Sequence, residues 1–98
     1  MAIKSFAGRA IERFFFEGVA PKRAGWAGVV KVAARKLDML DYAHALSDLA
    51  SPPGNRLEAL SGALAGRHSV RIDDQWRLVF RWMEQGPEDV DVVDYHRG

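Results

Sequence analysis

The stretch DDQWRLVFRW, residues 73–82, alternates apolar and polar side chains at every second position. Its apolar set consists of Trp76, Leu78, Phe80 and Trp82. A period of two is typical of a β-strand that buries one face in a core and exposes the other. The second face contains Arg77, Val79 and Arg81, so the pattern predicts an open sheet face lined with arginine.

Apolar positions three and four residues apart predict two helices in the N-terminal half. The first is expected from about Gly8 to Glu17. The second is expected from Pro21, which suits a first helical turn, to about Tyr42. Its apolar stripe comprises Trp26, Val29, Val30, Ala33, Leu37 and Leu40. Gly25 and Gly28 each disfavour a helix by up to about 1 kcal/mol relative to alanine, so the first turns are expected to fray.

Short extended segments dominate after the break PPGN at residues 52–55. They are RLEAL, HSVRID, QWRLVFRW and DVDVVDYH, and each is bounded by turn residues. A further short strand is predicted at residues 2–6. This order predicts an α+β fold in which two N-terminal helices pack on one face of a mostly antiparallel sheet of four to five strands.

The central hairpin has two possible registers. A two-residue loop would pair Ile72 with Arg77, which places an apolar and a charged side chain on the same face. A three-residue loop pairs Ile72 with Trp76 and Arg71 with Arg77, and it alone keeps the apolar set together. We therefore predict the longer loop. Arg71 and Arg77 then become cross-strand neighbours, and their repulsion is destabilising unless solvent or an anion lies between them.

The composition excludes several classes of protein and site. The 98-residue chain is 48% hydrophobic and 28% charged, which is typical of one globular domain, so we expect residues 1–98 to form a single unit. The chain lacks cysteine, which excludes disulfides and thiolate chemistry, and its three histidines have no zinc-site spacing. No stretch approaches the ~20 apolar residues that span a bilayer, and the N-terminus does not resemble a signal peptide. We therefore expect a cytoplasmic protein without membrane contact.

The net charge of +1 conceals an uneven distribution. Residues 1–36 contain eight lysines and arginines against two glutamates, whereas residues 83–98 contain five acidic residues and one arginine. Such asymmetry permits a basic surface that binds phosphate or an acidic partner. It does not require one, because folding can bring the opposite charges together.

Two groups of residues are candidates for chemistry. The arginines on the predicted open face can each hold phosphate oxygens with two bonds at once; the alternative is an ordinary solvated sheet face. The C-terminal pair Tyr95–His96 has groups that transfer protons near neutral pH; the alternative is a frayed terminal strand. In a meander, the last strand can lie beside the strand of Arg77, which would bring His96 to the same site.

The succession IKSF, PPGNRLEALSG, AGRHSVRIDDQWRLVFRW and VVDYH, from Ile3 to His96, resembles the HigB branch of the RelE/ParE superfamily. These proteins are toxins of bacterial type II toxin–antitoxin modules. The resemblance implies a compact α+β fold and a ribosome-dependent endoribonuclease that cleaves translated mRNA without a metal or other cofactor. It also implies neutralisation by a helix-turn-helix antitoxin, whose complex with the toxin binds operator DNA.

Residue by residue, the resemblance implies that Arg77 is the catalytic cation at the scissile phosphate. Tyr95 and His96 match the closing pair that moves the proton, and Asp94 matches the acidic residue before that pair. Contacts with RNA are expected from arginines on or near the same strands. These arginines are Arg71, Arg81, Arg67 and Arg56.

The sequence departs from the family pattern around Gly62, where Ala63-Leu64 replaces the charged pair that usually follows the glycine. Ser61 occupies a position where many relatives have lysine, and Glu58 a position where some branches have histidine. The missing lysine motivates an alternative function, in which an attenuated toxin-fold module mainly binds its antitoxin and co-represses the operon. A gyrase-directed toxin of the ParE kind is a third possibility, disfavoured because the Tyr95–His96 pair suits ribonuclease chemistry better.

Overall fold

The computed structural model describes residues 2–95 of the 98-residue chain. Within this range, two α-helices precede a four-stranded antiparallel sheet. The elements are α1 (Arg9–Glu17), α2 (Val30–Tyr42), β1 (Glu58–Ala59), β2 (His68–Arg71), β3 (Trp76–Met83) and β4 (Gly86–Asp94). The strand order is β1-β2-β3-β4, which confirms the predicted α+β meander.

The N-terminal segment lies along the free edge of β4 but does not form the predicted strand. Phe6 forms a single parallel bridge with Val90, and backbone hydrogen bonds join Val90 to Ser5 and Ala7. In β4, Asp89 has a φ of 53° and the pairing with β3 shifts register nearby. Such a bulge interrupts a ladder, which limits how far the edge can continue.

The second helix begins later than predicted, at Val30 rather than Pro21. The preceding residues, Gly25–Val29, form a 3₁₀ helix whose Trp26 is buried in the core. A Cβ atom on Gly25 would lie 2.9 Å from the Trp76 ring, so the glycine allows this segment to approach the sheet closely. Its two glycines have low helix propensity, and only the part after them is α-helical.

The hydrophobic core lies between the helices and one face of the sheet. Phe14 of α1 meets Trp26 edge-on, with ring centroids 5.1 Å apart. Leu78 and Phe80 are fully buried, which confirms the predicted apolar face of β3. None of the helices in the described range is long and apolar enough to cross a membrane.

The β2–β3 register is the predicted one. Arg71 pairs with Arg77, and the amide of Ile72 donates to the Trp76 carbonyl at 2.9 Å. Around Arg77 and Val79 the opposite face of β3 is not open, however, and there the prediction was wrong. Arg77 is 4% exposed and Val79 is 2% exposed. Leu60, Ser61 and Leu64 of the connection from β1 to β2 line a pocket together with Val79, so this segment lies beside that face. Its irregular sequence has no periodicity that would reveal such an arrangement.

Asn55 anchors the segment that leads into β1. Its side chain is fully buried, and Nδ2 donates to the carbonyls of Leu49 at 3.1 Å and Ser51 at 3.3 Å. Its Oδ1 accepts a hydrogen bond from the Lys36 ammonium of α2. These bonds fix the backbone immediately before Arg56, which has a left-handed φ of 47°.

We expect Asn55→Ala to lower the free energy of unfolding by about 2–3 kcal/mol, because two carbonyls and an ammonium group lose their partner. Urea denaturation followed by tryptophan fluorescence measures this change. The control is Ser47→Ala, an exposed position in the preceding connection, where we expect a change below about 0.5 kcal/mol. Equal effects of the two substitutions would contradict the anchoring role.

Candidate active site

Arg77 is a buried cation whose inner nitrogens have partners within the chain. Its Nε donates to the Ser69 hydroxyl at 2.8 Å, and its Nη2 donates to the backbone carbonyl of Arg56. Only 5% of its side chain is exposed. A buried charge is costly unless it is paired and hydrogen-bonded, so these contacts hold the guanidinium in one orientation.

The outer side of the guanidinium faces Glu58 and Tyr95. Nη1 lies 3.4 Å from Glu58 Oε1, and Cζ lies 4.8 Å from the centroid of the Tyr95 ring. The Tyr95 hydroxyl donates to Glu58 Oε2 at 3.4 Å. Both side chains are about two-fifths exposed, so they lie between the buried guanidinium and solvent. Arg77, Glu58 and Tyr95 are hereafter called the Arg77 cluster.

A pocket of about 330 Å³ opens beside the cluster. Its lining residues are Leu60, Ser61, Leu64, Val79, Val93, Asp94 and Tyr95. Four aliphatic side chains make the lining mainly apolar, while Ser61 and Asp94 supply polar groups. A flat, partly polar ring can therefore lie next to Tyr95.

The end of β4 is held against the β2–β3 loop, which positions Tyr95. The Tyr95 amide donates to the Gln75 carbonyl at 2.6 Å, and the Gln75 side chain donates to Asp94 Oδ2 at 3.1 Å. Of the predicted catalytic residues, Arg77 and Tyr95 are in contact and Asp94 lines the adjoining pocket. His96 lies outside the described residues.

The arginines on either side of Arg77 along the sheet each have a carboxylate partner. Arg71 lies 2.6 Å from Asp74, and Arg81 lies 3.2 Å from Asp89. Their side chains are 36% and 40% exposed, so both pairs are open to solvent. The predicted repulsion between Arg71 and Arg77 is relieved by carboxylates of the chain itself.

The remaining predicted arginines contribute in different ways. Arg56 offers its carbonyl to Arg77, while its own residue is exposed. Arg67 is half-buried, and its Nε has no hydrogen-bond partner within residues 2–95. Its neighbour His68 is half-buried and its ring is stacked near the Phe80 ring, with centroids 6.4 Å apart.

Lys36 of α2 is a further basic residue near Arg71 of the sheet. Burial lowers the pKa of Lys36, and the nearby charges of Arg35 and Arg71 lower it further. The cationic surface beside Arg71 therefore includes a helix residue that the sequence analysis did not identify.

The sequence analysis also missed two polar residues that build the cluster. Ser69 is fully buried, and its register opposite Val79 places it on the face of Arg77. The predicted hairpin register already placed Ser69 on that face. Glu58 was noted only as a departure from the family pattern, yet β1 pairs it with Ser69 and so brings its carboxylate to Arg77. No local pattern indicates that pairing.

Comparison with known proteins found a matching family model and two similar proteins. Residues 4–96 match the family model described as a RelE-like toxin of the type II toxin–antitoxin system HigB. The chain is 54% identical over 50 residues to Toxin HigB-1 of Vibrio cholerae, which covers 51% of this chain and 53% of that protein. It is 42% identical over 52 residues to an uncharacterised protein of Haemophilus influenzae, covering 53% of this chain and 52% of the relative. The chain thus spans about half the length of these curated relatives in each match.

We expect Arg77→Ala to lower the free energy of unfolding by about 3 kcal/mol, because the Ser69 hydroxyl and the Arg56 carbonyl lose a buried donor. Chemical denaturation measures the loss. Arg81→Ala is the matched control on the same strand, and its solvent-exposed ion pair should contribute no more than about 1 kcal/mol. If the two variants are equally stable, the internal partners of Arg77 do not stabilise the fold.

The stability of the fold is expected to depend on pH through Asp91. Burial raises the pKa of Asp91, while the Val92 amide and the charge of Arg67 act in the opposite direction. A raised pKa in the folded state means that the charged carboxylate destabilises the fold at neutral pH and that this cost disappears on protonation. We therefore expect Asp91→Asn to be more stable than the parent at pH 7, with the difference shrinking as the pH falls through the titration range of Asp91. Denaturation curves at both extremes check this, and a variant that is less stable at pH 7 would refute it.

Proposed function

Since this chain belongs to the HigB-like family of RelE-like toxins, we propose that it is the toxin of a type II toxin–antitoxin system and a ribosome-dependent endoribonuclease of the cytoplasm. The observation that supports this best is the Arg77 cluster. It brings together a buried cation, a partly exposed carboxylate and a partly exposed phenol, and the phenol also lines a pocket.

The cluster suits RNA cleavage by the ribose 2′-hydroxyl. That oxygen attacks the adjacent phosphate, so the reaction needs a cation for the added negative charge and groups that move protons. We assign the cation to Arg77, whose fixed orientation fits an electrostatic role worth roughly 3–4 kcal/mol per donor elsewhere. Tyr95, Asp94 and His96 are the candidate proton-transfer residues.

Binding of the RNA strand is proposed to use the ring, the pocket and the outlying arginines. A base stacked on an aromatic side chain contributes about 1–3 kcal/mol in other single-strand complexes, and the exposed Tyr95 ring beside the pocket suits that contact. The four arginines assigned to phosphate contacts are Arg71, Arg81, Arg67 and Arg56. Arg71 and Arg81 can exchange an exposed carboxylate for a phosphate at little cost.

The partners follow from the same proposal. Translated mRNA on the ribosome is the substrate. A helix-turn-helix antitoxin is the inhibitor, and through it the toxin reaches operator DNA. The uneven charge of the chain fits contact with phosphate on the ribosome and with an acidic segment of the antitoxin.

A second candidate function is supported by the internal pairing of Arg77. Its guanidinium already contacts Ser69, the Arg56 carbonyl and Glu58, and Ser61 adds no charge at the pocket. A guanidinium that already has partners within the chain fits an attenuated toxin-fold module, which binds the antitoxin and co-represses its operon.

Arg77→Gln tests the ribonuclease proposal. Glutamine keeps a donor near the Ser69 hydroxyl but is too short to reach the Arg56 carbonyl, and it removes the charge. We therefore expect cleavage of translated mRNA to fall about 10²–10³-fold. Cleavage sites are mapped on an mRNA with and without ribosomes, and growth is followed after induced expression. Arg13→Gln, an exposed arginine of α1, is the control that should match the parent.

Persistent growth arrest and cleavage by a folded Arg77→Gln variant would refute the ribonuclease assignment. A parent protein that binds its antitoxin tightly, yet neither slows growth nor cleaves ribosome-bound mRNA, would establish the second candidate instead.

A further inference from the structure

The position of Glu58 in the Arg77 cluster is not explained by the roles assigned so far. β1 is a two-residue edge strand, and its register pairs Glu58 with Ser69, the residue that holds Arg77 Nε. The carboxylate therefore meets the guanidinium from the solvent side. One of its oxygens faces Arg77 Nη1 and the other accepts the Tyr95 hydroxyl, both at 3.4 Å.

These two contacts are loose, in contrast to the inner contacts of the guanidinium. Charge-assisted hydrogen bonds usually measure about 2.7–2.9 Å, and the Arg77–Ser69 bond, at 2.8 Å, falls in that range. The Glu58 carboxylate is held less tightly, and 43% of its side chain is exposed. Nη1 is thus the nitrogen of Arg77 that an incoming phosphate can share or take over, while Nε and Nη2 keep their partners.

We propose that Glu58 is the general base of RNA cleavage, an inference that rests on the ribonuclease function proposed above. A phosphate bound at Nη1 places its neighbouring ribose next to the Glu58 carboxylate. An ionised carboxylate has an open lone pair for the 2′-hydroxyl proton. Ser61, at the rim of the same pocket, has no charge with which to assist or replace it.

The proposed cleavage moves one proton through Glu58 and one through Tyr95. Glu58 takes the proton of the 2′-hydroxyl, and O2′ forms a bond to phosphorus while the bond from phosphorus to O5′ breaks. The leaving O5′ takes a proton from the Tyr95 hydroxyl. Glu58 then returns its proton to the Tyr95 oxygen across their contact. The products are a 2′,3′-cyclic phosphate and a 5′-hydroxyl end.

Glu58→Gln keeps the shape of the side chain and removes its ability to accept a proton. In single-turnover cleavage of ribosome-bound mRNA, we expect a rate at least about 100-fold below that of the parent, as is usual for loss of a general base. Circular dichroism and thermal unfolding show whether the variant is folded. Glu84→Gln, an exposed position in the turn at the far end of the β3–β4 hairpin, is the matched control and should match the parent.

Glu58→His distinguishes a base from a residue that only positions Arg77. Histidine loses its proton near pH 6.5, so the variant should cleave at pH 8 and slow about tenfold, relative to the parent at the same pH, when the pH is lowered to 5.5. Arg77 and Tyr95, the groups that contact Glu58, are present in both proteins. The native histidines are present in both proteins and cancel in the ratio.

Each outcome decides the proposal. A slow Glu58→Gln variant, together with the new pH dependence of Glu58→His, supports the general base. A Glu58→Gln variant as fast as the parent overturns it, and a faster one shows that the carboxylate obstructs phosphate. A Glu58→His variant with the parent's pH profile assigns Glu58 to positioning alone. A parent protein that does not cleave refutes the ribonuclease proposal itself, which is a separate failure.

Discussion

The burial of the Arg77 guanidinium is the constraint on which the rest of the site depends. A charge that is 5% exposed must find hydrogen bonds and a counter-charge inside the fold. The partners come from separate parts of the chain: Ser69 in β2, the Arg56 carbonyl before β1 and Glu58 in β1. The connection from α2 to the sheet must therefore take one path, and the buried side chain of Asn55 fixes that path.

The alternation of residues along β3 was sufficient to predict the sheet, its register and which face is apolar. It was not sufficient to predict that the arginine face is covered. Periodicity reports which side chains share a face, whereas burial depends on what packs there, and here that is an irregular connection. The start of α2 was misplaced for a related reason. Pro21 is a valid local signal, but the glycine-containing segment after it forms a 3₁₀ helix and packs closely on Trp76.

The candidate site was predictable to the extent that it lies on regular strands. Arg77 and Tyr95 follow from the hairpin and the last strand, and the structure places their side chains in contact. The pairing of Arg71, Arg77 and Arg81 with three different carboxylates was not predictable. Asp74 lies in a loop, Asp89 lies at a bulge, and Glu58 lies in a strand of only two residues. The face is thus a row of ion pairs, not a uniformly cationic surface.

A row of ion pairs changes what binding of an anion requires. At the exposed pairs of Arg71 and Arg81, a phosphate replaces a carboxylate that contributes at most about 1 kcal/mol, so these arginines remain available for binding. At Arg77 the guanidinium is already desolvated and oriented before any ligand arrives. Orientation in advance is costly for the fold but removes reorganisation from the reaction, which is how a fixed donor acts on a transition state. A rigid arginine beside a stacked tyrosine is already oriented, whereas a flexible lysine would first need to be ordered. With Ser61 where many relatives have lysine, the pocket lacks a second positive charge. The oriented guanidinium of Arg77 does not depend on that charge.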